Sequence, residues 1–143
     1  MRQFIIFLML IFSSVVTFGQ DKLGFAGHNH VGLHVADIGK STAFYRDIIG
    51  LRPIPVPDDL KAIRSWFDIG NGQQIHLLAG RTEKIYHDRN GGHIAFFVES
   101  ITQAETFLTK YKIQFHKQTR FDKVVQIYFS DPDGYLIEIN ERK

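Results

Sequence analysis

Four side chains carry the chemistry that can be read from this chain. His30 and His93 each open a short alternating stretch, HVGLHV at 30–35 and HIAFFV at 93–98. His76 and Glu138 each follow a matched isoleucine, Ile75 and Ile137. Three imidazoles and one carboxylate are borderline nitrogen and oxygen donors. They suit one divalent metal ion, Zn, Ni, Co, Mn or Fe(II), and a set that faces a cavity leaves positions open to water or substrate. The spacing is unlike the helix-borne HExxH pattern, so only a duplication brings these four together. His76 has three open roles: a fourth ligand, a substrate contact, or a base beside the metal. His28, His34, His87 and His116 read as surface or hydrogen-bonded histidines.

The elements that must position these residues form one unit used twice. In 30–35, Val31, Leu33 and Val35 point to one face while His30, Gly32 and His34 point to the other. Asp37 caps a helix that carries Phe44, Tyr45 and Ile48 and stops at Gly50. Leu51 to Val56 is extended, with prolines that confine it to an edge or loop. Strands near 63–69 and 73–78 flank Asn71-Gly72, a hairpin signal. The second half repeats the order. A strand at 93–98 leads to a helix capped by Ser100 and Gln103, and strands follow near 113–116, 124–129 and 135–140. His30, Val35, Ile38 and Phe44 recur as His93, Val98, Ile101 and Phe107 at an offset of 63, and Phe67, Gly72 and Ile75 recur as Phe129, Gly134 and Ile137 at 62. Duplication with one indel accounts for both the residues and the order. Alternation puts His30, His76, His93 and Glu138 opposite Val31, Ile75, Ile94 and Ile137, which pack on the helices. If the halves pack about a pseudo-twofold, the four donors converge in a sheet-lined cavity. Arg64, Trp66, Gln126 and Tyr128 sit on matched third strands and are candidates to line it, and Arg120 is a candidate for an anionic substrate group.

Composition narrows the classes. With 143 residues, 44% hydrophobic and 22% charged, the chain has the make-up of one globular domain. It contains no cysteine, which excludes disulfides, thiolate zinc sites and a cysteine nucleophile. A net charge of +2, from 17 basic and 15 acidic residues, is too mild and mixed to argue for nucleic acid as a partner. The start, MRQFIIFLMLIFSSVVTFGQ, has one basic residue, an apolar run from Phe4 to Phe12, then small residues. This is the plan of a signal peptide cut after Gly19, with residues 20–143 forming the exported domain, halves at about 28–80 and 91–140, and no membrane contact after cleavage. An uncleaved anchor fits less well, because hydrophobicity falls off after Phe12.

The stretches HVGLHVADIGKSTAFYRDIIGL (30–51), GGHIAFFV (91–98) and IYFSDPDGYLIEI (127–139) resemble the vicinal oxygen chelate superfamily. That superfamily includes glyoxalase I, fosfomycin thiol transferases, methylmalonyl-CoA epimerase, extradiol dioxygenases and bleomycin-binding proteins. The resemblance implies an α+β fold: paired βαβββ modules forming a U-shaped, barrel-like mixed sheet, helices outside, around a divalent metal. The family's first-strand His falls on His30, its second-half His on His93 and its last-strand Glu on Glu138. Its strand-four position, Glu in glyoxalase I, falls on His76, which leaves Glu138 as the one carboxylate. The expected function is that of a metal-dependent lyase or isomerase acting on a small oxygenated molecule, with Glu138 and His76 as catalytic groups. The alternatives are an Fe(II) dioxygenase using His30, His93 and Glu138, a fosfomycin-type transferase, or a small-molecule-binding protein without catalysis. Members of this size often pair, so a homodimer is also expected.

Overall fold

The structure, a computed structural model, describes residues 22–88 and 90–142. The expected leader and its cleavage site lie outside the described residues. Among those described, no helix is long and apolar enough to cross a membrane.

Each half is a βαβββ unit. The first comprises β1 (His30–Val35), α1 (Ile38–Ala43), which continues as a π-helical turn (Phe44–Ile48), β2 (Arg52–Ile54), β3 (Arg64–Gly70) and β4 (Gln73–Ala79). The second comprises β5 (His93–Val98), α2 (Ile101–Lys110), β6 (Phe115–Thr119), β7 (Val125–Ser130) and β8 (Leu136–Glu141). The sheet orders match, β1-β4-β3-β2 and β5-β8-β7-β6, with the first strand parallel to the last in each. The expected α+β duplication is therefore present.

Local chemistry sets the boundaries. Asp37 accepts a hydrogen bond from the Lys40 amide at 2.9 Å and starts α1, and Ser100 accepts one from the Gln103 amide at 3.3 Å and starts α2. Asn71 and Gly72, with φ of 53° and 73°, form the two-residue turn between β3 and β4. The strand expected at 113–116 begins later, at Phe115. Lys112 turns left-handed, with φ of 56°, and the Ile113 amide bonds back to Leu108 O at 2.9 Å. Ile113 thus closes the helix before a strand can begin.

The halves meet through their helix faces. One apolar cluster joins Leu33, Val35, Tyr45, Phe67, Ile75 and Leu77 of the first half to Ile101, Leu108, Ile127, Phe129, Ile137 and Ile139 of the second. Each such fully buried side chain is worth about 1.5–3 kcal/mol. Phe44 lies 6.5 Å from Phe129, and Tyr45 donates to Asp131 at 3.0 Å. The connector Asp131-Pro132-Asp133-Gly134 completes the clasp. Asp133 accepts from the Ala36 amide and the Ser41 hydroxyl, both at 2.7 Å, and from Arg81 at 3.0 Å. Tyr135 bonds through its hydroxyl to both the amide and the carbonyl of His34. Among the described residues no strand pairing joins the two sheets, so the paired modules do not close into a continuous barrel. The core is shared through the faces that carry the helices, and the donor-bearing faces are the opposite ones.

Candidate metal centre

The four expected donors separate into two pairs, one per sheet. On β8, Glu138 is buried, and its Oε2 lies 3.0 Å from Nε2 of His93 on the neighbouring β5. His93 Nδ1 is 2.9 Å from the Gly91 carbonyl and donates to it, so Nε2 is the nitrogen turned to the carboxylate, where a proton or a metal ion stands between the two. On the first sheet His30 and His76 stack at 4.2 Å with planes 14° apart, and Trp66 stacks on His76 at 4.7 Å and 19°. Trp66 and His76 are cross-strand partners on β3 and β4, so the contact follows from register. Asn29 Oδ1 engages His30 Nδ1, so in His30, as in His93, Nε2 is the nitrogen left for a further partner. In His76 the engaged nitrogen is Nε2, 2.7 Å from Gln74 Oε1.

Convergence of all four in one chain is not what the structure has. Among the described residues no three His, Asp or Glu side chains lie close enough together to hold one ion. The physical reason is the shared core: with helix faces turned toward each other, the donor faces of the halves cannot also meet.

The other expected pocket residues divide in the same way. Gln126 and Tyr128 stand beside Glu138. Gln126 Nε2 donates to Glu138 Oε1 at 2.6 Å, and the Tyr128 ring lies edge-on to His93 at 5.9 Å. Arg64 lies on the Trp66 face of β3 but bonds its own neighbour's carbonyl, Ile63 O, at 2.9 Å. Arg120 sits at the turn into β7, paired with Asp122 at 2.8 Å. The chemistry-bearing residues not expected are Asn140, whose Nδ2 donates to Glu138 Oε1 at 2.6 Å, and Gln74. Each stands two positions from an expected donor on its strand, and period two alone places it on the same face.

Electrostatics distinguish the donors. Burial pushes the Glu138 carboxyl up, but hydrogen bonds from Tyr128, Asn140 and Gln126, with His93 nearby, outweigh it and hold the group below its ordinary range. Tyr128 is pushed up to about 12, by burial first and then by its bond to Glu138. His76 is held below the usual imidazole value by burial and by neighbouring His30, so it is neutral at neutral pH.

The donor chemistry fits a divalent ion. Two donors bound to one ion at about 2.1 Å and at right angles stand about 3 Å apart. His93 and Glu138 have that spacing, with Nε2 as the nitrogen facing the carboxylate. Parallel imidazoles do not aim in-plane lone pairs at one point, so the His30–His76 stack presents His30 more readily than both.

Comparison with known proteins assigns the chain to a family. Residues 27–139 match the model of the Glyoxalase/Bleomycin resistance protein/Dioxygenase superfamily, and the chain belongs to it. It is 33% identical over 119 residues to Glyoxylase I 4 of Arabidopsis thaliana, covering 78% of this chain and 68% of that one. Among solved structures it resembles a glyoxalase family protein from Bacillus anthracis, at 30% identity and a TM-score of 0.65 over 83% of this chain and 97% of that one. It also resembles the fosfomycin resistance protein FosX from Listeria monocytogenes, at 25% identity and a TM-score of 0.65 over 83% and 95% of the two chains.

Proposed function

We propose that this protein is a metal-dependent lyase or isomerase acting on a small oxygenated molecule, with its centre completed between two copies of the chain. The observation that carries the reading is the His93–Glu138 pair, spaced and oriented as two ligands of one ion. His30, whose Nδ1 is engaged by Asn29 so that Nε2 remains for a ligand bond, is the third ligand. The likeness to Glyoxylase I 4 supports lyase chemistry. When bound, the ion supplies Lewis-acid stabilisation of negative charge on a substrate's adjacent oxygens.

The chain's own residues divide the remaining work. Glu138, held ionised and hydrogen-bonded, suits a ligand better than a proton carrier. His76, neutral and fixed by Trp66 and Gln74, is the group to take a proton at Nδ1. The leader-like start supports export, and export disfavours a co-substrate such as glutathione, which is mainly cytosolic. A second reading shares the ligand set. Two histidines and one carboxylate are also the facial triad of Fe(II) oxygenases, and oxygen uptake with catechols by the iron-loaded protein separates the two.

Metal analysis tests the proposal. Purified protein, or protein incubated with Zn, Ni, Mn or anaerobic Fe(II), is expected to hold about one ion per chain. His93→Ala and Glu138→Gln should each weaken binding at least about tenfold, whereas His28→Ala should leave it unchanged. Less than about 0.1 equivalent under every condition would overturn the assignment.

A further inference from the structure

Glu138 is held by more than its pairing with His93. Its Oε1 accepts two amide hydrogen bonds, from Gln126 Nε2 and from Asn140 Nδ2, both at 2.6 Å. Gln126 and Asn140 are cross-strand partners on β7 and β8, and Tyr128 and Glu138 are the next pair on the same face. Gln126 is 4% exposed, and its own oxygen accepts from Gln118 at 3.2 Å, which fixes the amide's orientation. Asn140 Oδ1 is buried without a partner. Turning that amide over would satisfy nothing and would set oxygen against Oε1, so the orientation seen is dictated by Glu138.

A carboxylate oxygen has two lone-pair sites. On Oε1 both are filled by these two amides, while Oε2 faces His93 Nε2 at 3.0 Å and the Tyr128 hydroxyl adds a further hydrogen bond to the carboxylate. We propose that Gln126 and Asn140 are positioning residues that saturate Oε1, so that Glu138 offers a metal ion Oε2 alone and cannot bind through both oxygens. The inference rests on the reading that Glu138 is a ligand. Its consequence is a low coordination number on the protein side, which keeps two neighbouring positions for the paired oxygens of a substrate. Released from the amides, Glu138 could turn both oxygens to the ion and occupy one of those positions.

The test uses the full-length protein loaded with Co(II), with acetohydroxamate as a two-oxygen probe. Gln126→Met and Asn140→Leu keep side-chain bulk and remove the donors. Each variant, and the double variant, is expected to show a weaker visible Co(II) band, as coordination number rises, and about tenfold weaker hydroxamate binding. An unchanged band and unchanged hydroxamate affinity in both single variants overturn the clamp. Should the double variant fail to fold, the singles, with thermal melts of the metal-free forms as control, carry the same comparison. Glu138→Gln separates the two levels: if it binds Co(II) as tightly as wild type, the ligand reading itself falls.

Discussion

Glu138 is ionised against the tendency of its own burial, because Tyr128, Asn140 and Gln126 all direct hydrogen bonds at it. A carboxyl whose folded pKa is depressed stabilises the fold fully above the unfolded value of about 4.3, and loses that contribution as pH falls through the folded value. Metal-free wild type should therefore melt at a higher temperature than Glu138→Gln near pH 7, and the gap should close only as pH falls below the ordinary carboxylate range and through the depressed folded value. Thermal melts of both proteins across pH check this; a gap independent of pH would mean the hydrogen bonds do not favour the charged form. The placement of His30, His93 and Glu138 on their strands was legible in the sequence, because the repeat registers them and alternation puts each on the face away from the helix. The Asn140 contact was not, since period two gives a face but not a hydrogen bond. Nor was the sandwich of His76 between Trp66 and His30, which depends on rotamers on two strands.

At the scale of elements, the caps at Asp37 and Ser100 and the turn at Asn71-Gly72 were legible because each is a local interaction. The role of Asp131-Pro132-Asp133-Gly134 was not, because as sequence it reads only as a turn and its partners lie half a chain away. Burial pushes the Asp133 carboxyl up, but bonds from the Ala36 amide, Ser41 and Arg81 prevail and hold it low. The clasp is therefore fully formed above the ordinary carboxylate range and weakens as pH falls through the depressed value. Asp133→Ala leaves Arg81 largely buried, with 10% of its side chain exposed and no carboxylate in place of the one lost. Urea unfolding should register a loss of about 3–5 kcal/mol, the usual cost of breaking a buried pair by removing one partner. Gly134 is bound by a different constraint. Its φ is 99°, and a Cβ there would stand 2.6 Å from Ile85 O. Gly134→Ala should cost about 1–3 kcal/mol in the same experiment. A change under about 0.5 kcal/mol in both variants would show that the halves are held by the apolar core alone.

The whole molecule follows from which faces the two halves share. Alternation separates a helix face from a donor face on each sheet, but does not say which pair of faces meets. In the structure the helix faces meet, so His30 with His76 and His93 with Glu138 are presented on opposite sides of a common core. On the proposed reading, a complete ligand set requires the first half of one copy to face the second half of another, an isologous arrangement that forms two equal sites. Phe97, 68% exposed beside this face, and the free edge of β5 are surfaces such a partner would cover. Mixing two defective variants decides the matter. His30→Ala and His93→Ala should each bind metal weakly alone. Unfolded together and refolded, half of the dimers are mixed, and each mixed dimer regains one site with both histidines, so about a quarter of all sites should recover tight Zn binding. Sites built within one chain would recover none, since every chain in the mixture lacks one ligand. The same mixture with Glu138→Gln in place of His30→Ala serves as control. His93 and Glu138 are neighbours on one sheet of one chain, so that pair of variants cannot complement, and recovery there would contradict the assignment of both residues to a single half-site.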